Sequence, residues 1–307
     1  MEAGGRQRIA AAGPSTPGWG ERDEIVRAHA DAESALSKRE SVLDTRWFPW
    51  VVRIGSVVVF LAVWEWYGRM QDNTLFFVPF SKVVVALCDL IGTAEFWSAY
   101  KSTLIPFFYG WLTAIVLGVS LGLLIGRFRS AFQLSTPYLT FLNALPVSTL
   151  VPVAVILFGI GRPGSVYPWD QKAGILIVFL FAVVEVVLNT AAGVRYASRD
   201  LIEMARSFKA SEWRLFRKVI LPDSVPGIMA GVRIGTGRAV VGMVVVEILL
   251  VAVGVGRLIM RYRARFQSAK LYAMVLSLAI FGVALLSLAR WVERRVTRWK
   301  IEMEAMT

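Results

Sequence analysis

The sequence carries little with which to do covalent chemistry. It has one cysteine, Cys88, and one histidine, His29. A single cysteine excludes an intrachain disulfide and a cysteine-based zinc cluster. A single histidine in a polar segment removes His-dependent triads and most His-based metal sites. Also missing is a Gly-x-x-x-x-Gly-Lys-[Ser/Thr] phosphate loop, so nucleotide hydrolysis is not expected here. Gly159-Ile-Gly161 and Gly235-Thr-Gly237 lack the preceding strand and trailing glycine of a dinucleotide loop. No basic cluster leads into a short apolar core near the start, so a secretory leader is not expected. Acidic residues are scarce, 22 against 34 Lys and Arg, for a formal net charge of +12.

What is abundant is apolar. Hydrophobic residues make up 56% of the 307 positions, against roughly 45–50% in a soluble domain. Mean hydropathy is +0.58. The excess falls in blocks at residues 48–67, 104–126, 137–160, 173–194, 227–253 and 271–289. Each is near the ~20 residues a helix needs to cross ~30 Å of hydrocarbon. No block has the period-2 pattern of a barrel strand. The expected fold is therefore an all-α integral membrane protein of about six transmembrane helices. In such a chain a basic total reflects membrane topology, not nucleic-acid binding.

The blocks organise the chain. Residues 1–46 read as a polar cytoplasmic tail, and 47–103 as the first transmembrane helix with an outer amphipathic segment at 83–91. Residues 104–290 form the core, with a long basic loop at 195–222, and 291–307 a basic C-terminal tail. Lys and Arg concentrate in the two tails and the long loop, which places both termini inside. The basic stretch 257–270 argues the other way.

The loop 195–222 reads as two short amphipathic helices, about 199–209 and 212–220. Ser211 is positioned to cap the second, and Pro222 and Pro226 are expected to break the chain after it. Trp213, Phe216 and Ile220 fall on one helical face beside Arg214, Arg217 and Lys218. Such a helix suits a membrane interface or a groove on a cytosolic partner.

This loop resembles the signature of ATP-binding-cassette importer permeases: Glu-Ala-Ala, three residues, Gly, nine residues, Ile, one residue, Leu-Pro. Glu203, Ala205, Leu221 and Pro222 sit at the matching offsets, while Met204, Lys209 and Val219 depart from it. At position 209 a glycine would enter left-handed backbone freely, and a lysine does so at some cost. Phe141-Leu-Asn-Ala-Leu-Pro146, Leu150-Val-Pro152, Leu188-Asn-Thr-Ala-Ala-Gly-Val194, Gly231-Val-Arg233, Gly237-Arg238 and Val246-Glu247 are similar to the nitrate/sulfonate/taurine branch of that family. The resemblance covers residues 75–258.

It implies the transmembrane permease subunit of an importer in the bacterial inner membrane, moving a small solute. Glu203, Ala205, Lys209, Ala210, Trp213, Leu221 and Pro222 would couple it to a separate ATPase. The chain itself would bind no cofactor, with ATP and magnesium used by that partner. A second permease copy, a periplasmic or lipoprotein binding protein and membrane lipid complete the expected partners. A gradient-driven secondary transporter would show inverted repeats or paired broken helices, which are not evident. A membrane scaffold leaves the spacing of Glu203 to Leu221-Pro222 unexplained. Asp/Glu catalysis in an integral-membrane enzyme fits least.

Polar residues at bilayer depth face pathways or partners. Glu185 and Asn189 share a face of the fourth block, and Glu247 lies well into the fifth. Asn143, Ser148 and Thr149 flank Pro146, which can kink its helix. These seven are pathway candidates, with structural pairing to Arg233 or Arg238, or an interhelical hydrogen bond, as the alternative for the two glutamates. Gly118, Gly122 and Gly126 recur every four residues, a helix-packing pattern.

Overall fold

The computed structural model describes residues 48–71, 76–159, 171–250 and 254–304. The expected polar tail 1–46 and Gly161 of the Gly159-Ile-Gly161 pair lie outside them. The chain divides into two units, residues 1–66 and 67–307. Helix α1 (Phe48–Met70) carries the described part of the first. Its apolar side chains Trp50, Ile54, Val58, Phe60 and Val63 are exposed, as on a helix solvated by lipid.

In the second unit the order is α2 (Phe80–Ile91), α3 (Ala94–Arg127), α4 (Arg129–Ala144), a 3-10 turn (Val147–Leu150), α5 (Val151–Phe158), α6 (Lys172–Arg195), α7 (Arg199–Ser207), α8 (Glu212–Leu215), a π-turn (Phe216–Ile220), α9 (Leu221–Leu250), α10 (Gly254–Ala264) and α11 (Ser268–Glu304). The described residues contain no strand. Among the described residues four helices are long and apolar enough to span a membrane, or up to six if each of two bent pairs, α4 with α5 and α9 with α10, counts as one span. The short segment expected near 83–91 is α2, which buries Val83, Ala86 and Leu90 on one face and packs on α11.

Several boundaries have local causes. Helix α3 starts ten residues before its apolar block because Thr93 caps it, its Oγ1 accepting from the Phe96 N–H at 3.3 Å, with Glu95 in the first turn; a carboxylate there suits the positive end of the dipole. The third block bends by 78°. Leu145, ahead of Pro146, is extended (φ −66°, ψ 134°), the region a following proline enforces. Pro152 sits in the first turn of α5, where no N–H is needed. Contrary to expectation, Pro222 and Pro226 do not break the chain. Pro222 falls in the tolerant first turn of α9, and Pro226 lies inside a helix that continues to Leu250.

Two glycine seams set the packing. On α3, a Cβ at Gly110, Gly118, Gly122 or Gly126 would lie 2.5–2.8 Å from α6 atoms, so the two backbones meet. The four-residue spacing predicts this stripe, and Gly110 extends it by two turns. On the other side of α6, Gly231 and Gly235 of α9 would place a Cβ 2.9 Å from Asn189 and 2.6 Å from Val186. Gly193 and Gly227 bring the same helices together at the loop end. Polar ties cross the remaining interfaces: Tyr100 donates to Ser277 Oγ (2.6 Å), Trp111 to Thr236 Oγ1 (2.9 Å), and Arg233 pairs with Glu293 (2.7 Å).

Glu247 anchors the junction of α9 and α10. It is buried and accepts from Thr103 Oγ1 of α3 (2.6 Å) and from the Gly256 N–H. Thr103 Oγ1 in turn accepts from the Val255 N–H (2.9 Å). The carboxylate thus satisfies an orphan donor in the first turn of α10. Gly254 has φ +68°, and a Cβ there would lie 2.4 Å from Thr103 Oγ1, so backbone and carboxylate meet only at a glycine.

Two stability measurements check this packing. Gly122→Ala should lower unfolding free energy in detergent by about 1–3 kcal/mol through overpacking against Thr190, whereas Gly55→Ala, with nothing within 4 Å, should not destabilise. Glu247→Ala should cost about 2–4 kcal/mol by stripping a buried threonine and a helix N-terminus of their acceptor, and Glu247→Gln should recover part of it.

Candidate functional site: a partner-facing loop and a hinge pocket

Helix α7 ends in a reversal built by two backbone bonds. The Ala210 N–H donates to Ala205 O (3.1 Å) and the Lys209 N–H to Arg206 O (2.8 Å). This is the Schellman pattern, which requires left-handed backbone at the residue after the cap. That residue is Lys209, with φ +54°. The lysine at this position thus takes the left-handed backbone that a glycine would enter freely. Ser211 then caps α8, its Oγ accepting from the Arg214 N–H at 3.4 Å, as its place before the helix suggests.

The second helix differs from the expected one because a π-turn follows α8. The wider turn inserts a residue and shifts the apolar face. Leu215 and Ile220 point inward, packed with Val194 and Ala197. Trp213 is left 70% exposed and stacks on half-buried Phe216 at 6.3 Å. Nothing in the sequence marks a π-turn, so Leu215 is the anchor that helical counting passes over. Glu212 ties the unit together, reaching Arg127 at the end of α3 (2.7 Å) and Arg206 of α7 (3.6 Å). Ser198 N–H donates to Asp223 Oδ2 of α9 (2.7 Å).

The other face of the loop is uncovered. Phe208 is 82% exposed, with Met204, Tyr196 and Trp213 exposed nearby. The Glu203 carboxylate is exposed and has no ion pair among the described residues. Ala205, Ala210 and Leu221 are half-buried and Pro222 is exposed. The loop thus presents an exposed aromatic surface beside polar side chains.

The pocket lies where α4 turns into α5. Asn143, Pro146 and Ser148 line it together with Leu180, Phe181 and Arg238, around a volume of about 140 Å³. Arg238, from α9, reaches Glu185 of α6 at 3.0 Å. The guanidinium remains half exposed while the carboxylate is largely covered, so the cation faces the pocket and the anion backs it. Asn189 does not line the pocket; its Nδ2 donates to Glu185 O one turn back (2.8 Å). Thr149 is exposed, its hydroxyl donating to Pro146 O (2.8 Å). Glu247 lies apart, in the α9–α10 junction. The structure thus gathers three of the seven pathway candidates and adds Arg238 as the pocket's cation. The signal for it is an arginine inside an apolar block, one charge-pair away from Glu185.

Lys209 offers a local test. Lys209→Gly should relieve a left-handed strain of about 1–2 kcal/mol, offset in part by glycine's backbone entropy. A net gain of about 0.5–1 kcal/mol, read as slower proteolysis of the 195–222 loop, is expected; Lys209→Val should accelerate cleavage.

Comparison with known proteins identifies the family. The model of the binding-protein-dependent transport system inner membrane component family matches residues 114–298, which contain the loop and the pocket. The putative aliphatic sulfonates transport permease protein of Bacillus subtilis is 27% identical over 84% of this chain and 90% of its own length. The bicarbonate transport system permease protein of Synechococcus elongatus is 29% identical over 89% of this chain and 97% of its own. The taurine transport system permease protein of Escherichia coli is 26% identical over 82% and 90%. An apolar multi-helix chain with a partner-facing loop and a hinge pocket is, on this match, a permease subunit of an ABC importer and belongs to the binding-protein-dependent transport system inner membrane component family.

Proposed function

We propose that two copies of this permease form the pathway for a small solute bearing an anionic group, of the kind named for the sulfonate, taurine and bicarbonate permeases. The observation that carries this reading is the placement of Arg238: a guanidinium facing a small polar pocket, backed by a carboxylate. Asn143 and Ser148 supply neutral hydrogen-bonding groups beside it, and Pro146 supplies the bend that makes room. Glu185 holds the guanidinium in place, Asn189 and Thr149 shape the helices around it, and Glu247 fixes the far junction. An anion entering the pocket trades its hydration for charge-assisted bonds to the half of the guanidinium that Glu185 leaves exposed.

The 195–222 loop seats in the separate ATPase. Phe208 and Trp213 enter its groove, Glu203 reaches a partner cation, and Lys209 and Ala210 set the angle between the two short helices. Leu221 and Pro222 pass motion into α9, which carries Arg238. ATP, magnesium and hydrolysis belong to that partner, and this chain is a translocation subunit without catalysis of its own. A binding protein delivers solute at the opposite face, and both termini lie on the cytoplasmic side, where the loop is.

Reconstitution with the ATPase and binding protein tests this in two halves. Trp213→Glu with Phe208→Glu should lose the ATPase on pull-down. Arg238→Gln should keep the ATPase bound with its basal hydrolysis but cut solute uptake more than tenfold, the loss of a charge-assisted bond. Uptake by Arg238→Gln equal to wild type would overturn the role given to the pocket.

A further inference from the structure

The bundle end opposite the coupling loop has an unusual charge. Between Glu247 and Glu293 the sequence contains no Asp or Glu, yet it holds Arg257, Arg261, Arg263, Arg265 and Lys270. Cations at the outer end of a permease run against the usual bias, so something must compensate them. Arg261 is paired with Glu95, and Lys270 lies over the Tyr262 ring at 5.8 Å. Arg263 is exposed, and its contact among the described residues is a 4.0 Å approach to Met260 Sδ, too soft to hold a charge.

Beside Arg263 is a half-open cavity of about 710 Å³. Its walls are Phe76, Met260, Phe266, Leu271 and Tyr272, with Arg263 at the rim. The shape is built rather than accidental. Phe266 closes α10 in left-handed backbone (φ +53°), with the Gln267 N–H donating to Tyr262 O at 2.9 Å. That turn sets its ring against Phe76, edge to face at 6.5 Å. Tyr272 OH donates to Phe76 O at 2.9 Å and fixes the second wall. From the cavity, α11 runs directly into an apolar span (Ser268–Arg298). Val275, one turn beyond Leu271, is already exposed, so the cavity floor is continuous with a lipid-facing stripe.

We propose that this cavity seats an anionic phospholipid of the leaflet away from the coupling loop, with an acyl chain against Phe76, Phe266 and Leu271 and the headgroup phosphate on Arg263. An apolar floor open to hydrocarbon and an unpaired guanidinium at the level where a span ends match the two halves of such a molecule. The volume lies within the range of small-ligand pockets. The bound lipid would supply the counterion that Arg263 lacks among the described residues, and so permit a basic segment outside.

The test is lipid retention by the purified full-length chain, exchanged into nanodiscs of phosphatidylcholine with or without phosphatidylglycerol and read by native mass spectrometry. Wild type should keep one phosphatidylglycerol in preference to phosphatidylcholine. Arg263→Gln should reduce that preference about fivefold, the worth of one arginine to an anionic headgroup. Leu271→Trp should displace both lipids by filling the chain seat, and Arg217→Gln in the coupling loop, with the same charge change, should leave retention as in wild type. Equal retention by wild type and Arg263→Gln, or no preference for the anionic lipid, would overturn the proposal. So would competition by inorganic phosphate that Leu271→Trp leaves untouched, which would mark a simple anion site, or capture of an acidic amphipathic peptide in lipid-free detergent, which would assign the face to a protein. Retention does not depend on uptake or ATP hydrolysis, so its failure is separate from any failure of the transport reading.

Discussion

Close contact of α6 with two neighbours is the constraint on which the rest depends. In hydrocarbon, helices gain nothing from hiding apolar surface, so association rests on van der Waals fit and on polar ties. Glycines on α3 and α9 remove the Cβ atoms that would otherwise separate the backbones, leaving gaps in which even one carbon has no room. With that fit in place, α6 acts as a fixed rod. Its C-terminus feeds the coupling loop, and its middle carries Glu185 behind the pocket.

Motion therefore has few places to go. Helix α9 starts at the loop, presents Arg238 to the pocket a little past its middle, and ends at the Glu247 junction. In the proposed mechanism a push on the loop enters α9, which runs as one helix from Leu221 to Leu250 although Pro226 lies inside it. The compliant element is the Pro146 bend, whose 78° corner forms the other pocket wall. A stiff helix facing a kinked one is a geometry that can alternate between two openings.

Much of this was legible in the residues. The apolar blocks located the spans and the four-residue glycine spacing located one seam, while the lysine standing at position 209 in place of the motif glycine left the turn there open until the backbone was seen. Other features left no trace. A π-turn has no signature, so helical counting puts Trp213 and Ile220 on one face, whereas Ile220 turns inward with Leu215 and Trp213 stays exposed. The start of α3 depends on a threonine cap lying outside the apolar run. Pro226 reads as a breaker, because sequence alone does not show that neighbouring helices hold α9 together. Arg238 was visible as a partner for Glu185, but its exposure to the pocket required the bend of the helix opposite. Glu185 and Glu247 look alike in sequence; one backs a cation at the pocket, the other caps a helix, and only three-dimensional neighbours separate them.

The central claim is that the pocket at the Pro146 bend opens to one side or the other according to the state of the coupling loop. Alkylation of Ser148→Cys, in a Cys88→Ser background with the ATPase bound, tests it most directly. With a membrane-impermeant reagent, labelling should occur from the loop side without nucleotide and shift to the opposite side when ATP is trapped. Labelling from one side only, whatever the nucleotide, would contradict the account.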